Sequence, residues 1–347
     1  MKINETNMML KEADAAAVST AHSAAVGEYL DPQKPRANVV GMGVGVKWKD
    51  GQPTGEPSLI VLVTHKVPKG QLGKSDMVPP RLQDIQTDVL AVGHPLAGGG
   101  DQAGIQTLAK RARPARGGYS VGHKNITAGT IATSVYKILP GGSTSPPVHG
   151  VGIPPKFFIL SNNHVLANSN AGVIGDAVLQ PGPLDGGIDP ADRIATLSGF
   201  VPITFSPAVP LNLHNNLVDC AIAEGQFHDL DREIYWTGPV RGWRRKALVP
   251  VGLVVKKTGR TTNFTTGRIT AINATVDVGY GDGKVARFKD QIVTTNMSAG
   301  GDSGSLVLTL DNVAVGLLFA GSAIAMIANQ IENVRSLLRV EVAEQIL

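Results

Sequence analysis

The segment Asn296-Met297-Ser298-Ala299-Gly300-Gly301-Asp302-Ser303-Gly304-Ser305 runs directly into the apolar triplet Leu306-Val307-Leu308. A glycine-rich turn that opens onto a short apolar run restricts the local fold to a turn at the start of a strand. There, backbone N–H groups can approach another group closely. Two more apolar runs have the same short scale. Phe157-Phe158-Ile159-Leu160 leads into Ser161-Asn162-Asn163-His164, and Leu217-Val218-Asp219-Cys220-Ala221-Ile222-Ala223 encloses a carboxylate. Such runs, bounded by turn residues, read as buried strands. The 41 glycines and 22 prolines among 347 residues, with only 17% charged residues, suit a turn-rich β-protein better than a helical bundle.

Each of these segments carries one chemically suggestive residue. Ser303 beside converging N–H groups has what acyl transfer needs, a nucleophile and donors for an oxyanion. Taken alone, the same string also fits an ordinary hairpin turn. His164 follows the end of an apolar strand, a rigid place for a general base, although most of the eight histidines in such a chain simply pack. Asp219 sits among apolar residues, and a buried carboxylate requires a partner such as an imidazole N–H. The bland alternative is an aspartate turned outward to bond a neighbouring loop.

The chain order His164, Asp219, Ser303, with the flanking patterns of all three, resembles the chymotrypsin/trypsin-like serine peptidase family, in its disulfide-free bacterial branch. The resemblance covers roughly residues 117–330. It implies a mainly β fold of two six-stranded antiparallel β-barrels with the site between them. It also implies a His164–Asp219–Ser303 triad, with an oxyanion hole made by the backbone N–H groups of Gly301 and Ser303. By position relative to Ser303, Met297 is expected at the base of the S1 pocket, with Phe319, Ala320 and Gly321 along its wall. No acidic residue stands where arginine- and lysine-selective members place one, and no histidine follows His228, so a small or apolar P1 residue is expected. Ser305 departs mildly from the family, which often has glycine there. Activation is a second point of departure. Many members free a new amino terminus that pairs with the aspartate before the nucleophile, here Asp302, but Gly117-Gly118-Tyr119 does not match their usual start. Cleavage after Arg116 is the variant of that scheme open to this chain.

The resulting expectation is a serine endopeptidase acting through an acyl-enzyme. The alternative is a catalytically silent or latent peptidase-like scaffold. The α/β-hydrolase pattern is not met, because Gly301-Asp302-Ser303-Gly304-Ser305 lacks the final glycine and the chain order differs.

The expected organisation has five parts. Residues 1–35 carry an N-terminal helix (8–30), with Met9, Ala13, Ala16, Ala17, Val26 and Leu30 as its apolar positions. Residues 36–95 form a small α/β accessory module, with Asp50-Gly51 as a hairpin signal. Its Gly41, Gly43 and Gly45 do not match a phosphate-binding spacing and read as strand glycines. Residues 96–116, glycine-rich and then basic, read as a linker. The peptidase domain spans 117–328, with barrels over about 119–235 and 240–328 and an exposed turn over Leu139–Pro147. Residues 329–347 read as a C-terminal helix.

Composition excludes several classes. The single cysteine, Cys220, rules out an intrachain disulfide and reads as buried and inert. Net charge is only +4, and neither basic cluster (Lys110 to Arg116, Arg241 to Lys246) has interleaved aromatics, so no nucleic-acid partner is expected. Both clusters read as solvated. Residues 1–30 lack the apolar core of a secretory signal and no long apolar run occurs, so no membrane partner is expected. The cytoplasm is the simplest location, with bacterial export left open. No cofactor or metal is expected: Asp185, Asp189 and Asp192 lack EF-hand spacing and read as a solvated acidic loop. The expected partners are a protein or peptide substrate and, through the N-terminal module, a second copy or another protein.

Overall fold

A computed structural model of the chain describes residues 5–34, 36, 38–73, 77–97, 108–138 and 156–343. The expected turn over Leu139–Pro147, and Gly98–Gly100 with the chain to residue 107, lie outside the described residues.

Two antiparallel barrels are the centre of the architecture. In the first, Thr133–Lys137 pairs with Phe157–Ser161, then follow Ala221–Gly225, Arg193–Phe200, Ala177–Leu179 and Ser120–His123. Ser120–His123 pairs with Gly129–Thr130, just before Thr133–Lys137 in the chain, and the Ala132 N–H donates to the Leu160 carbonyl, which closes the ring. The second ring runs Val254–Gly259, Leu306–Thr309, Val313–Gly321, Ala325–Gln330, Val285–Thr295, Asn263–Gly279 and back to Val254–Gly259. Each ring thus closes on itself by strand pairing.

The apolar runs are continuous because each strand faces two cores. Phe157 and Ile159 point into the first barrel with Val121, Val178 and Leu197. Phe158 and Leu160 point the other way, into the layer between the barrels, with Val218, Leu306 and Leu317. In the second barrel, Val307 joins Val255, Ile269 and Met326 inside, while Leu306 and Leu308 face the shared layer. Side-chain alternation along a strand makes this partition automatic, and both faces are dry.

The segment expected as a separate accessory module is joined to the second barrel. Val39–Lys49 pairs antiparallel with the far half of the 17-residue strand Asn263–Gly279, with Met42 opposite Thr275. Gln52–Val63 and Ile85–Ala91 extend the same sheet. The long strand serves two neighbours on one edge, the barrel strand near Arg268 and the N-terminal strand near Ile272, so a common sheet replaces a domain boundary. A Cβ on Gly41 would lie 2.6 Å from the Thr275 carbonyl oxygen and one on Gly45 would lie 2.9 Å from that of Thr270, so these glycines permit close strand approach. Asp50 and Gly51 both have positive φ, 51° and 74°, and form the two-residue turn that joins Lys49 to Gln52.

The N-terminal helix spans Glu12–Tyr29. Its buried face is Val18, Ala21, Ala25 and Tyr29, packed on Met42, Val44 and Leu59, whereas Met9 is 46% exposed. The face is rotated from the expected one: Ala13, Ala16 and Ala17 are exposed, whereas Val18 and Tyr29 are buried beside Leu30. The C-terminal helix is shorter than expected, Ile331–Leu338. Arg339 ends it in a left-handed conformation, φ 52°, and Val340–Glu341 then pairs with Thr133–Lys137 of the first barrel. A buried ion pair between Arg335 and Glu341 fixes this return. Among the described residues no helix is long and apolar enough to cross a membrane.

Candidate active site

His164 lies in the one-turn helix Asn163–Leu166, immediately after the strand Phe157–Ser161. Asp219 lies in the extended approach to Ala221–Gly225 rather than within the strand, and is fully buried. The antiparallel pairing of those two strands, with Ser161 opposite Ala221, carries the two side chains together. The Asp219 carboxylate accepts from the His164 ring at Nδ1 (2.6 Å) and from the His164 backbone N–H (3.1 Å). Its main chain is held as well: Asn162 donates to the Asp219 carbonyl, and the Asp219 N–H donates to Asn329, which is bonded to Gln291 of the second barrel. The buried carboxylate is therefore satisfied, as its burial requires.

One donor to this carboxylate was not foreseen. The Tyr280 hydroxyl, from the hairpin after the long strand, donates to Asp219 Oδ2 at 2.7 Å. Burial, reinforced by the Asp219 charge, pushes the Tyr280 phenol up, so it acts as a donor. Its ring meets the His164 ring edge-on with centroids 6.0 Å apart. Nothing in Gly279-Tyr280-Gly281 marks this contact, because only the fold brings that hairpin over the first barrel.

Ser303 reaches the same place from the second barrel. The Ser303 carbonyl accepts from the Thr130 N–H (2.7 Å), and the Thr130 carbonyl accepts from the Ser161 hydroxyl (2.7 Å), three residues before His164. His164 Nε2 is buried and without a partner among the described residues. The Ser303 hydroxyl makes a long contact, 3.5 Å, to the Phe319 carbonyl. His164 and Asp219 are thus hydrogen-bonded to each other, and Ser303 is not bonded to the imidazole. A hydroxyl changes partner by rotating one bond, and such contacts commonly tighten when substrate binds.

Glycine is required beside the serine. At Gly304 φ is +97°, and a Cβ there would lie 2.1 Å from Ser161 Oγ and 2.2 Å from the Thr130 carbonyl oxygen. Gly304→Ala is expected to lower unfolding free energy by at least about 2 kcal/mol, measurable by urea denaturation. An unchanged midpoint would mean that this contact between barrels relaxes freely.

The turn before Ser303 is bolted from several sides. The Gly300 carbonyl accepts from Thr261 Oγ1 (2.6 Å) and the Gly301 carbonyl from Thr130 Oγ1 (2.8 Å). In a planar peptide the N–H points opposite the carbonyl, so the Gly301 N–H faces away from Thr261. Neither it nor the Ser303 N–H has an acceptor among the described residues. Asp302 faces inward, fully buried, and accepts from the N–H groups of Thr261, Thr262 and Ala299 and from the Thr262 hydroxyl. Lys257, also fully buried, completes an ion pair with it at 3.1 Å. Burial holds the Lys257 ammonium below its ordinary value, with Asp302 pulling the other way. The strand signal for this lysine was present, since Val255 and Lys257 alternate onto the inward face, but a buried lysine is not expected without a known partner.

The expected pocket residues are packed more tightly than foreseen. Met297 is buried and packs with Val255 and Ile269 of the second-barrel core, its carbonyl accepting from Thr265. Phe319 is fully buried and packs on Phe288 with centroids 4.7 Å apart. Ala320 is buried, and the Ser298 hydroxyl lies 3.3 Å from where a Gly321 Cβ would project.

Of the charged groups expected to be solvated, Asp185 is in a buried pair, while Arg111, Arg116 and Asp189 are exposed and paired at the surface. Asp185 forms a buried ion pair with Arg260, beside the Gly301 turn, while Asp189 pairs with Arg193 and Asp192 with Arg111. Arg113 donates to Gln180, and Arg116 pairs with Asp231. Among the described residues no cluster of His, Cys, Asp or Glu could hold a metal ion. Cys220 is a buried free thiol whose pKa burial pushes up.

No family model matches the chain. A stretch of 54 residues, 16% of the chain, is 52% identical to glutamyl endopeptidase 2 of Streptomyces griseus, and spans 26% of that protein's length. Thermobifida fusca protease A superposes with a TM-score of 0.44 at 18% identity, over 66% of this chain and 97% of that one. A glutamic acid-specific serine protease that uses a histidine triad in substrate binding gives 0.42 at 22% identity, over 65% and 99%. Cellulomonas bogoriensis chymotrypsin gives 0.42 at 19% identity, over 66% and 98%. In its pair of closed six-stranded barrels, and in the short sequence shared with a bacterial endopeptidase, the chain resembles the chymotrypsin/trypsin-like serine peptidases.

Proposed function

We propose that the protein is a serine endopeptidase that cleaves peptide bonds through Ser303, His164 and Asp219. The observation that carries this reading is the buried Asp219–His164 pair, whose Nε2 has no partner among the described residues, with Ser303 tied through Thr130 to Ser161 of the strand that leads into His164. In this reading Ser303 attacks the scissile carbonyl, and His164 takes its proton and delivers it to the leaving amine. Asp219 holds the imidazole tautomer and stabilises the imidazolium without taking the proton. The N–H groups of Gly301 and Ser303 receive the oxyanion. Water then repeats the sequence on the acyl-enzyme.

The ion pair of Lys257 with Asp302 supports a site that needs no freed amino terminus. It does the electrostatic work that a new N-terminal ammonium would otherwise do, from within the same barrel. Arg116, meanwhile, is in a strand, Ala115–Gly117, paired with Leu230–Ile234. This favours an active enzyme over the silent-scaffold reading.

For P1 we keep a small or apolar residue, since Met297, Ser298, Phe319, Ala320 and Gly321 include no cation. Similarity to a glutamyl endopeptidase favours glutamate instead, with the Ser298 hydroxyl as a neutral donor. Digestion of a peptide library, with cleavage sites read by mass spectrometry, decides between them. Cleavage after alanine, valine or leucine supports the first and cleavage after glutamate the second. No cleavage by the folded wild type would count against the peptidase reading itself.

Tyr280 acts in this scheme as a positioning residue. Tyr280→Phe removes one of the donors to Asp219, and kcat is expected to fall about tenfold with KM unchanged. A change in KM alone would contradict that role.

A further inference from the structure

The strand Val313–Gly321 does not end free. Its last residues pair antiparallel with Leu96–Ala97, Ala320 opposite Ala97 and Gly321 opposite Leu96. Leu96 also lies against the end of the long strand, opposite Gly279, and the Gly279 N–H donates to the Pro95 carbonyl (3.1 Å). Upstream, the Val92 N–H donates to the Val63 carbonyl (2.7 Å), the Gly93 N–H to that of Thr64 (3.1 Å), and the Ser322 hydroxyl to that of Val92. Residues 92–97 are thus drawn from the N-terminal sheet across the end of the second barrel.

Their position is chemically pointed. Phe319, one residue back from Ala320, is the residue whose carbonyl meets the Ser303 hydroxyl. The antiparallel register makes Pro95–Ala97 run towards Phe319. On its other side, Gly279 precedes Tyr280, which is bonded to Asp219. The segment therefore lies along the strand edge that leads to the nucleophile. An extended polypeptide held for attack by Ser303 needs main-chain partners near that serine, and adding a strand to an exposed edge supplies them without demanding a sequence. Here that edge is already paired.

We propose that Pro95-Leu96-Ala97 is a built-in occupant of the edge on which an extended substrate docks, and that such a substrate binds only by displacing it. This rests on the peptidase reading of the same site. The occupant is built to leave: its strand is two residues long, and Leu96 is 45% exposed. Short elements with few buried contacts open locally at low free-energy cost. A competing chain therefore meets an apparent affinity reduced by the fraction of molecules in which the edge is free.

Two proline variants test this in the full chain. Leu96–Ala97 is sandwiched between two strands, so its alternate N–H groups face opposite neighbours. Either Leu96→Pro or Ala97→Pro removes the one directed at Val313–Gly321. Each variant is assayed on a tetrapeptide anilide, which needs the edge, and on a single-residue nitrophenyl ester, which does not. In the variant that frees the edge, KM for the tetrapeptide should fall about tenfold, with ester turnover unchanged. Folded variants with wild-type KM on the tetrapeptide would overturn the proposal.

A second readout needs no substitution. Binding of a tetrapeptide aldehyde to the wild type should speed amide exchange at Leu96 and Ala97 while Ala320 and Gly321 stay protected. Continued protection of Leu96 and Ala97 in the bound state would overturn it. The peptidase reading fails separately, and takes this proposal with it, if neither wild type nor variants turn over the ester.

Discussion

Replacing Ser303 with alanine should abolish turnover while leaving the fold intact. Loss of the nucleophile from a complete triad costs about a millionfold in kcat, because the histidine and aspartate have nothing left to activate. Ser303 is 5% exposed, and its hydroxyl makes only the long contact to the Phe319 carbonyl, so the smaller side chain gives up one weak hydrogen bond. Unfolding free energy should therefore change by less than about 1 kcal/mol. His164→Ala should cost about as much activity, and the double variant no more than either single one, because the residues act as a unit. Peptide hydrolysis and urea unfolding, run on the same preparations, separate the two quantities. A Ser303→Ala protein that keeps even a hundredth of wild-type turnover would show that the reaction uses another nucleophile.

The second large effect is expected at Lys257. Substitution by methionine keeps the length of the side chain and removes the charge, leaving Asp302 buried without its cation. Breaking a buried pair by deleting one partner costs about 3–5 kcal/mol. Asp302 also anchors the turn, through the N–H groups of Thr261, Thr262 and Ala299, so catalysis should suffer as well. Misplacing an oxyanion donor is worth about 100- to 1000-fold in kcat. Adding Asp302→Asn to Lys257→Met should restore part of the lost stability, because the orphaned charge goes with its partner. Additive losses in that cycle would mean that the two groups do not interact.

The same pair sets an alkaline limit. Burial lowers the Lys257 pKa, so the ammonium and its ion pair are lost at a pH below that of an ordinary lysine. Activity should decline there. Stability from this group has the opposite sign: between the lowered folded value and the ordinary one, the unfolded chain binds more protons, so its contribution rises with pH. An alkaline loss of activity without a matching loss of stability is the expected signature, read from a pH–rate profile beside thermal melts.

Much of the fold was legible because its signal is local. The short apolar runs at Phe157–Leu160 and Leu306–Leu308 announce strands buried on both faces, and alternation then assigns their sides. Asp50-Gly51 announces its turn by backbone preference alone. What could not be read depends on pairing across the chain. The N-terminal strands look self-contained in sequence, yet Val39–Lys49 finds its neighbour in residues 272–276. The C-terminal helix reads as one long amphipathic segment, but Arg339 breaks it so that Val340–Glu341 can reach the first barrel. Around the site, local sequence pointed to His164, Asp219 and Ser303. It did not point to Tyr280, Lys257 or Leu96–Ala97, whose relevance lies wholly in what they touch. Met297, placed by counting back from Ser303, packs with Val255 and Ile269, neighbours that no count along the chain supplies.

The most direct measurement is labelling of the folded wild-type chain with a fluorophosphonate, followed by mapping of the adduct by mass spectrometry. The probe is small and needs only an activated serine and an oxyanion site, so it is insensitive to which P1 residue the enzyme prefers. The account predicts a single adduct on Ser303, formed without prior cleavage of the chain and absent in Ser303→Ala. An unlabelled wild type, or a label that survives Ser303→Ala on another residue, would contradict it.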